Sequence, residues 1–190
     1  MAGIVLYGGS FDPPHKGHVA AARTALRELK PRALLWIPSL RPPHKPGRAL
    51  AAPAHRAAMC RLAVNGLPGA EVCEVELTEP LSGYTVDTVR LLRQRYPGEG
   101  LYLLMGFDML LSLDTWRSPD ELRSLCTVTA LRREEGAASR PPPGGALILP
   151  HRPYEISGTL LRGLLAAGKG REHLPDGVWE YITGHGLYAA

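Results

Sequence analysis

The 190-residue sequence predicts an α/β protein with one open parallel sheet and helices on both of its faces. Three observations carry that expectation. Short runs that are apolar at consecutive positions alternate with segments of helical periodicity, the runs end in glycine or proline, and no linker divides the series. GIVLYGG (3–9) is apolar on both faces and closed by glycines, as a buried parallel strand should be. GHVAAARTALRELK (17–30) places Val19, Ala22, Leu26 and Leu29 on one helical stripe. ALLWIP (33–38) completes a β-α-β unit whose crossover is right-handed. PAHRAAMCRLAVNGL (53–67) reads as a helix and AEVCEVEL (70–77) as a partly alternating strand. TVDTVRLLRQRYP (85–97) is a helix stopped by Pro97 and Gly98. LYLLMG (101–106), CTVTALR (126–132) and ALILP (146–150) are further strands, and ISGTLLRGLLAAG (156–168) and DGVWEYITGHG (176–186) further helices. The composition of 133–145 predicts a flexible loop within a single domain spanning 1–190, the flexible stretch reaching about residue 147.

Composition excludes several classes of function. Apolar residues make up 45% of the chain, which argues against disorder. The net charge of +4 comes from arginines scattered along the chain rather than gathered in a stripe, so a nucleic-acid surface is not expected. Cys60, Cys73 and Cys126 are odd in number and far apart, fitting neither a disulfide framework nor a zinc site. No apolar run approaches a membrane span and the first residues lack a basic start, so a soluble cytoplasmic protein is expected.

Ligands of open α/β sheets bind beyond the carboxyl ends of the strands where strand order reverses, which directs attention to the first loop. It reads GGSFDPPHKGH (8–18), with glycines before a helix start, a layout that turns backbone N–H groups towards an anion. Neither the Gly-rich lysine loop of ATPases nor the dinucleotide-binding glycine pattern is present. The loop instead supplies His15 and His18, three residues apart and so on one side of a helix start, with Gly17 permitting close approach to the backbone. Two histidines alone fit a solvated surface or a metal pair equally well, although zinc would need a third ligand that the following helix lacks. Pro-Pro-His-Lys recurs in RPPHKP (41–46) after the second strand, in a context too different for a duplicated unit. Both copies leave the same sheet edge, so His44 and Lys45 are expected to close over a bound triphosphate.

The first loop resembles the H-x-G-H signature of the nucleotidylyltransferase superfamily, in its G-[ST]-F-D-P-x-H-x-G-H form. ISGTLLR (156–162) resembles the companion I-S-S-T-x-[IL]-R. IPSLRPPHKP (37–46), SGYTVDTV (82–89), GFDMLLSLDTWRSPDEL (106–122) and the C-terminal LP…VWEYITGHGLY resemble the bacterial nicotinate-nucleotide adenylyltransferases within that superfamily. The likeness spans nearly the whole chain except 133–147. It implies a Rossmann-like nucleotidylyltransferase fold and transfer of AMP from ATP to nicotinate mononucleotide, with Mg²⁺ accompanying ATP, no metal held by the protein, and neither nucleic acid nor membrane as partner. A homo-oligomer is compatible with it.

The same resemblance implies the site. His15, His18 and Arg162 are the expected catalytic groups. Gly8, Gly9, Ser10, Phe11, Gly106, Asp108, Ser157 and Thr159 would join them around ATP, while Ser10, Thr85, Trp116 and Arg117 would hold the acceptor. Asp12 reads equally well as a ribose contact or as part of an Asp-Pro turn. The chain departs from the family pattern at Arg117, where the common motif is T-W-Y, and at Gly158, where serine is common. Competing readings are an adenylyltransferase for nicotinamide mononucleotide or phosphopantetheine, and a nucleotide-sensing or RNA-binding module on the same fold. A class I aminoacyl-tRNA synthetase fragment is disfavoured, because no K-M-S-K-S sequence is present.

Overall fold

A computed structural model describes residues 3–40, 51–132, 143–152 and 154–189. In chain order the elements are β1 (Ile4–Gly9), α1 (Lys16–Leu29), β2 (Ala33–Pro38), α2 (Pro53–Val64), β3 (Ala70–Val72), α3 (Val75–Thr78), α4 (Thr85–Arg95) and β4 (Leu101–Gly106). They continue with α5 (Phe107–Leu111), α6 (Pro119–Leu125), β5 (Thr127–Arg132), β6 (Leu147–Pro150), α7 (Gly158–Ala166) and α8 (Asp176–Gly184), with single 3-10 turns at Leu113–Thr115, Pro143–Gly145 and Arg171–His173. The six strands form one sheet of order β3-β2-β1-β4-β5-β6, and every pairing is parallel. The order reverses between β1 and β4, so the loops after those two strands flank the switch point.

The period-2 alternation of the strands divides the apolar residues into two cores. Val5 and Tyr7 of β1 and Leu34 and Trp36 of β2 face α1, α2, α7 and α8. Ile4 and Leu6, with Leu35 and Ile37, face α3 to α6. Strands apolar at every position are needed because both faces are covered. No helix among the described residues is long and apolar enough to cross a membrane.

The structure corrects the expected strand over 70–77. Pairing with β2 covers only Ala70–Val72, and the chain turns helical at Val75. Continuing the ladder would place Glu74 opposite Pro38, which has no N–H to donate. The helical turn also buries Glu76, whose carboxylate accepts a hydrogen bond from Thr88 Oγ1 at 2.8 Å. Helices α5 and α6 are additions to the expected series. The start of α6 was written in the sequence, since Pro119 follows Ser118 and two acidic residues occupy the first turn. The expected flexible stretch falls largely outside the described residues, and its described end holds the turn Pro143–Gly145, the buried Ala146 and the first residue of β6.

Candidate active site

The loop between β1 and α1 is anchored from below by aromatic residues. Phe11 takes a left-handed backbone conformation (φ 43°) and buries its ring, 1% exposed, against Trp36 at 4.8 Å. Its ring therefore belongs to the core, and a ligand at this position would meet backbone. The Phe11 ring in turn meets the His18 imidazole edge-on at 5.0 Å. Gly9 suits this packing, because a Cβ would lie 3.1 Å from the Phe11 ring, closer than an ordinary contact.

His15 is the N-cap of α1 and His18 its third residue, as the three-residue spacing requires. Their rings lie face to face at a tilt of 30°, with centroids 3.7 Å apart. His18 Nδ1 accepts a hydrogen bond from the His15 backbone N–H at 3.1 Å. That bond fixes the tautomer, since a nitrogen that accepts carries no proton, and places the ring proton of neutral His18 on Nε2. His15 is 6% exposed; burial, reinforced by the field of His173, lowers its pKa to about 4. At neutral pH the buried imidazole offers a hydrogen bond without a charge. Gly17 leaves room for it, since a side chain there would come within 2.9 Å of His15 Nδ1.

The pKa of His15 has a consequence for stability. Because its folded pKa lies below the unfolded value, the unfolded chain binds the extra proton between pH 6.5 and about 4. Stability is therefore highest above that window and falls as pH drops through it, by about 3 kcal/mol from this group. Urea denaturation of the wild type and His15→Gln at pH 7 and pH 4.5 checks this. The variant should lose less stability on acidification, and equal losses would show that His15 does not carry the effect.

A cavity of about 480 Å³ opens over the paired rings, within the range of small-molecule sites. His15, Gly17 and His18 line one wall, Gly106 and Asp108 the wall across the switch point, and Arg132, His151 and Tyr154 the far end. Four of the expected site residues, His15, His18, Gly106 and Asp108, thus lie around one cavity. Asp108 stands exposed in the first turn of α5 and is the single carboxylate in the lining, against Arg132 and three histidines. Arg132 lies over the Phe107 ring at 5.2 Å. His151 is held by Thr24, with 3.0 Å between Oγ1 and Nδ1, and burial lowers its pKa. A larger concavity of about 800 Å³ on the outer side of α1 shares His151 and Tyr154 but contains neither His15 nor His18.

Ser157, Thr159 and Arg162 do not line this cavity but join it through the loop. Ser157 caps α7, its Oγ accepting from the Leu160 N–H at 3.2 Å. Arg162 donates from Nη1 to the carbonyl of Asp12 and to its Oδ2, the latter at 3.3 Å. Arg162 Nη2 is buried, and no described residue accepts from it. Gly158 suits this arrangement, because a Cβ there would sit 3.3 Å from Arg162 Nη1. The Asp12 side chain is fully buried in this network, and its carboxylate is held by partners distant in sequence rather than within a local turn.

Gly8 is the penultimate residue of β1 with open space where a Cβ would be, and Ser10 is tied down by its carbonyl, which accepts from Arg56 Nη1 at 2.9 Å. Thr85 opens α4, while Trp116 and Arg117 follow the turn Leu113–Thr115. Arg117 is brought to that helix start by a cation–π contact with Tyr84, 4.9 Å from the ring centroid. Tyr84 was not among the expected site residues, and neither it nor Thr85, Trp116 or Arg117 lines the cavity over the histidines. His44 and Lys45 lie outside the described residues. Among the described residues no cluster of three or more His, Cys, Asp or Glu side chains could hold a metal ion.

A parallel α/β sheet with two closely paired imidazoles at the first helix start, beside a polar cavity at the switch point, defines a nucleotidyltransferase domain. Residues 6–164 match the family described as cytidylyltransferase-like. The nicotinate-nucleotide adenylyltransferase of Bacillus subtilis is 34% identical over 189 residues, covering 99% of each chain. A Laribacter hongkongensis protein described as "Probable nicotinate-nucleotide adenylyltransferase" is 39% identical, covering 97% of this chain and 94% of its own. Among solved structures, the Plasmodium falciparum nicotinic acid mononucleotide adenylyltransferase complexed with NaAD superposes with a TM-score of 0.81. That match has 16% identity and covers 99% and 98% of the two chains, which establishes the shared fold. The chain belongs to the cytidylyltransferase-like family and, within it, to the nicotinate-nucleotide adenylyltransferases.

Proposed function

We propose that the chain transfers the adenylyl group of ATP to nicotinate mononucleotide, giving deamido-NAD and pyrophosphate, as a cytoplasmic step of NAD biosynthesis. The observation that carries this reading is the close His15–His18 pair, with its tautomer set, facing Gly106 and Asp108 across one cavity. An oxygen of the acceptor phosphate attacks the α-phosphorus. The new P–O bond forms as the bond to the β-phosphate breaks, and pyrophosphate leaves with that electron pair. The acceptor is a phosphate monoester, mostly dianionic near neutral pH, so no general base is needed. Catalysis then rests on alignment and on stabilising the charge that builds on the bridging and leaving oxygens.

His18 Nε2–H is the donor to the transferring phosphate, and neutral His15 adds a second hydrogen bond. Arg162 uses Nη1 to grip Asp12 and offers Nη2 to the phosphates released as pyrophosphate, with Ser157 and Thr159 at the α7 N-terminus beside it. Asp108 accepts from the ribose hydroxyls. Mg²⁺ bound to ATP would supply neutralisation of part of the triphosphate charge. The described residues do not fit a separate metal site, because the Asp12 carboxylate is already occupied by other donors.

Tyr84, Thr85, Trp116 and Arg117 form the acceptor group, with Trp116 stacking on the pyridine. The guanidinium of Arg117 beside the α4 start favours a carboxylate over a carboxamide. The test is an acceptor profile with Mg-ATP, followed by pyrophosphate release. Nicotinate mononucleotide should give the highest kcat/KM, ahead of nicotinamide mononucleotide and phosphopantetheine. Arg117→Ala should narrow the acid-over-amide ratio about tenfold, as loss of one charge-assisted contact does. Preference of the wild type for the amide or for phosphopantetheine would reject the acceptor, and ATP binding without turnover would favour the sensing module.

A further inference from the structure

We propose that the segment following α8 belongs to the active-site scaffold, Tyr188 holding Asp12 and, through Asp12, the guanidinium of Arg162. The Tyr188 hydroxyl donates to Asp12 Oδ1 at 2.7 Å, across 176 positions of sequence. The same oxygen accepts from the Ala51 N–H at 3.0 Å, and Oδ2 and the Asp12 carbonyl take Arg162 Nη1. A single fully buried carboxylate thus joins the C-terminal segment, the chain entering α2, helix α7 and the loop carrying His15. Burial and the neighbouring Asp12 both push the Tyr188 phenol pKa up, so the hydroxyl stays protonated as a donor.

The local sequence delivers the tyrosine there. Helix α8 ends at Gly184, and Gly186 takes a left-handed conformation (φ 60°) that reverses the chain. The Leu187 N–H then reaches back to the Ile182 carbonyl at 3.0 Å, the closing bond of a Schellman turn. Leu187 and Tyr188 pack against the core shared by α1, α2 and α8. Tyr188 itself is left-handed (φ 63°), an unfavourable conformation for a non-glycine residue that its surroundings must hold in place.

Tyr188 is accordingly a positioning residue. With Nη1 of Arg162 spent on Asp12, the aim of Nη2 depends on where Asp12 sits, and Tyr188 supplies one of the donors that fix it. This inference rests on the reading that Arg162 faces the ATP phosphates, and the experiment separates the two. In the full chain, Tyr188→Phe should lower kcat/KM for ATP about tenfold and leave KM for nicotinate mononucleotide unchanged. Tyr181→Phe removes the same kind of hydroxyl from the preceding helix α8, one bonded to His55 Nδ1 at 2.9 Å, and should leave kcat/KM unchanged while costing similar thermal stability. In an Arg162→Ala background Tyr188→Phe should add no further loss, because the two act as one unit.

The inference is overturned if Tyr188→Phe matches the wild type, if Tyr181→Phe shows the same loss, or if the loss persists undiminished without Arg162. Wild-type kcat/KM in Arg162→Ala alone would instead reject the role of Arg162.

Discussion

Replacing His18 with alanine is expected to lower kcat about a hundredfold to a thousandfold while KM for ATP shifts only a few-fold, the pattern left by loss of a preorganised donor. The reason is the tautomer. The His15 N–H occupies His18 Nδ1, so the only N–H the neutral ring can present is Nε2, and no proton has to move before it donates. Alanine also removes the acceptor for that backbone N–H, which loosens the first turn of α1. His18→Asn separates the effects: an amide oxygen can accept in place of Nδ1 and restore the helix start, but nothing reaches where Nε2 was. Asparagine should therefore regain stability in urea denaturation and remain as slow as alanine in pyrophosphate release. Near-wild-type kcat in either variant would remove His18 from the chemistry.

The largest effect on stability is expected at Arg56. This side chain is 1% exposed, and its guanidinium donates to the carbonyls of Ala51 at 3.0 Å, Ser10 at 2.9 Å and Leu40 at 3.3 Å. It thereby joins the first loop to both flanks of residues 41–50. Arg56→Met keeps the apolar stem and leaves those buried acceptors without a donor, which should cost about 3–5 kcal/mol. For a chain of this size that corresponds to a fall of about 10–15 °C in Tm. Arg56→Lys should recover little, because one ammonium cannot reproduce a planar fork that serves three carbonyls. A loss below about 1 kcal/mol in Arg56→Met would show that the carbonyls find other donors.

Both predictions show where sequence reading reaches and where it stops. The strands β1, β2, β4 and β5 were legible because burial on two faces demands consecutive apolar residues, a signal confined to about six positions. The pairing of His15 with His18 was legible because three-residue spacing at a helix start leaves the rings little choice but to meet. The failure at 70–77 has a different origin. Its local pattern suits a strand, but how far an edge strand extends depends on its neighbour, and Pro38 of β2 ends the pairing. The short helices α5 and α6 lie where the chain passes the switch point, and with only five and seven residues their periodicity is too brief to detect.

The site divides along the same line. Residue types and spacings along the chain were enough to point to the first loop and to the helix start that carries its imidazoles, while the helix bearing Arg162 and the family followed from the resemblance of whole motifs. The first two depend on contacts within a few residues. Folding alone decided that Asp12 is a buried junction rather than a ligand contact, that Arg56 and Tyr188 support it, that Thr24 holds His151 at the cavity wall, and that Tyr84 brings Arg117 to the start of α4. Most of these pairs are separated by between 46 and 176 positions in sequence. A hydrogen bond between such residues leaves no periodicity in either segment, and comes into being only when the sheet brings its carboxyl-end loops together.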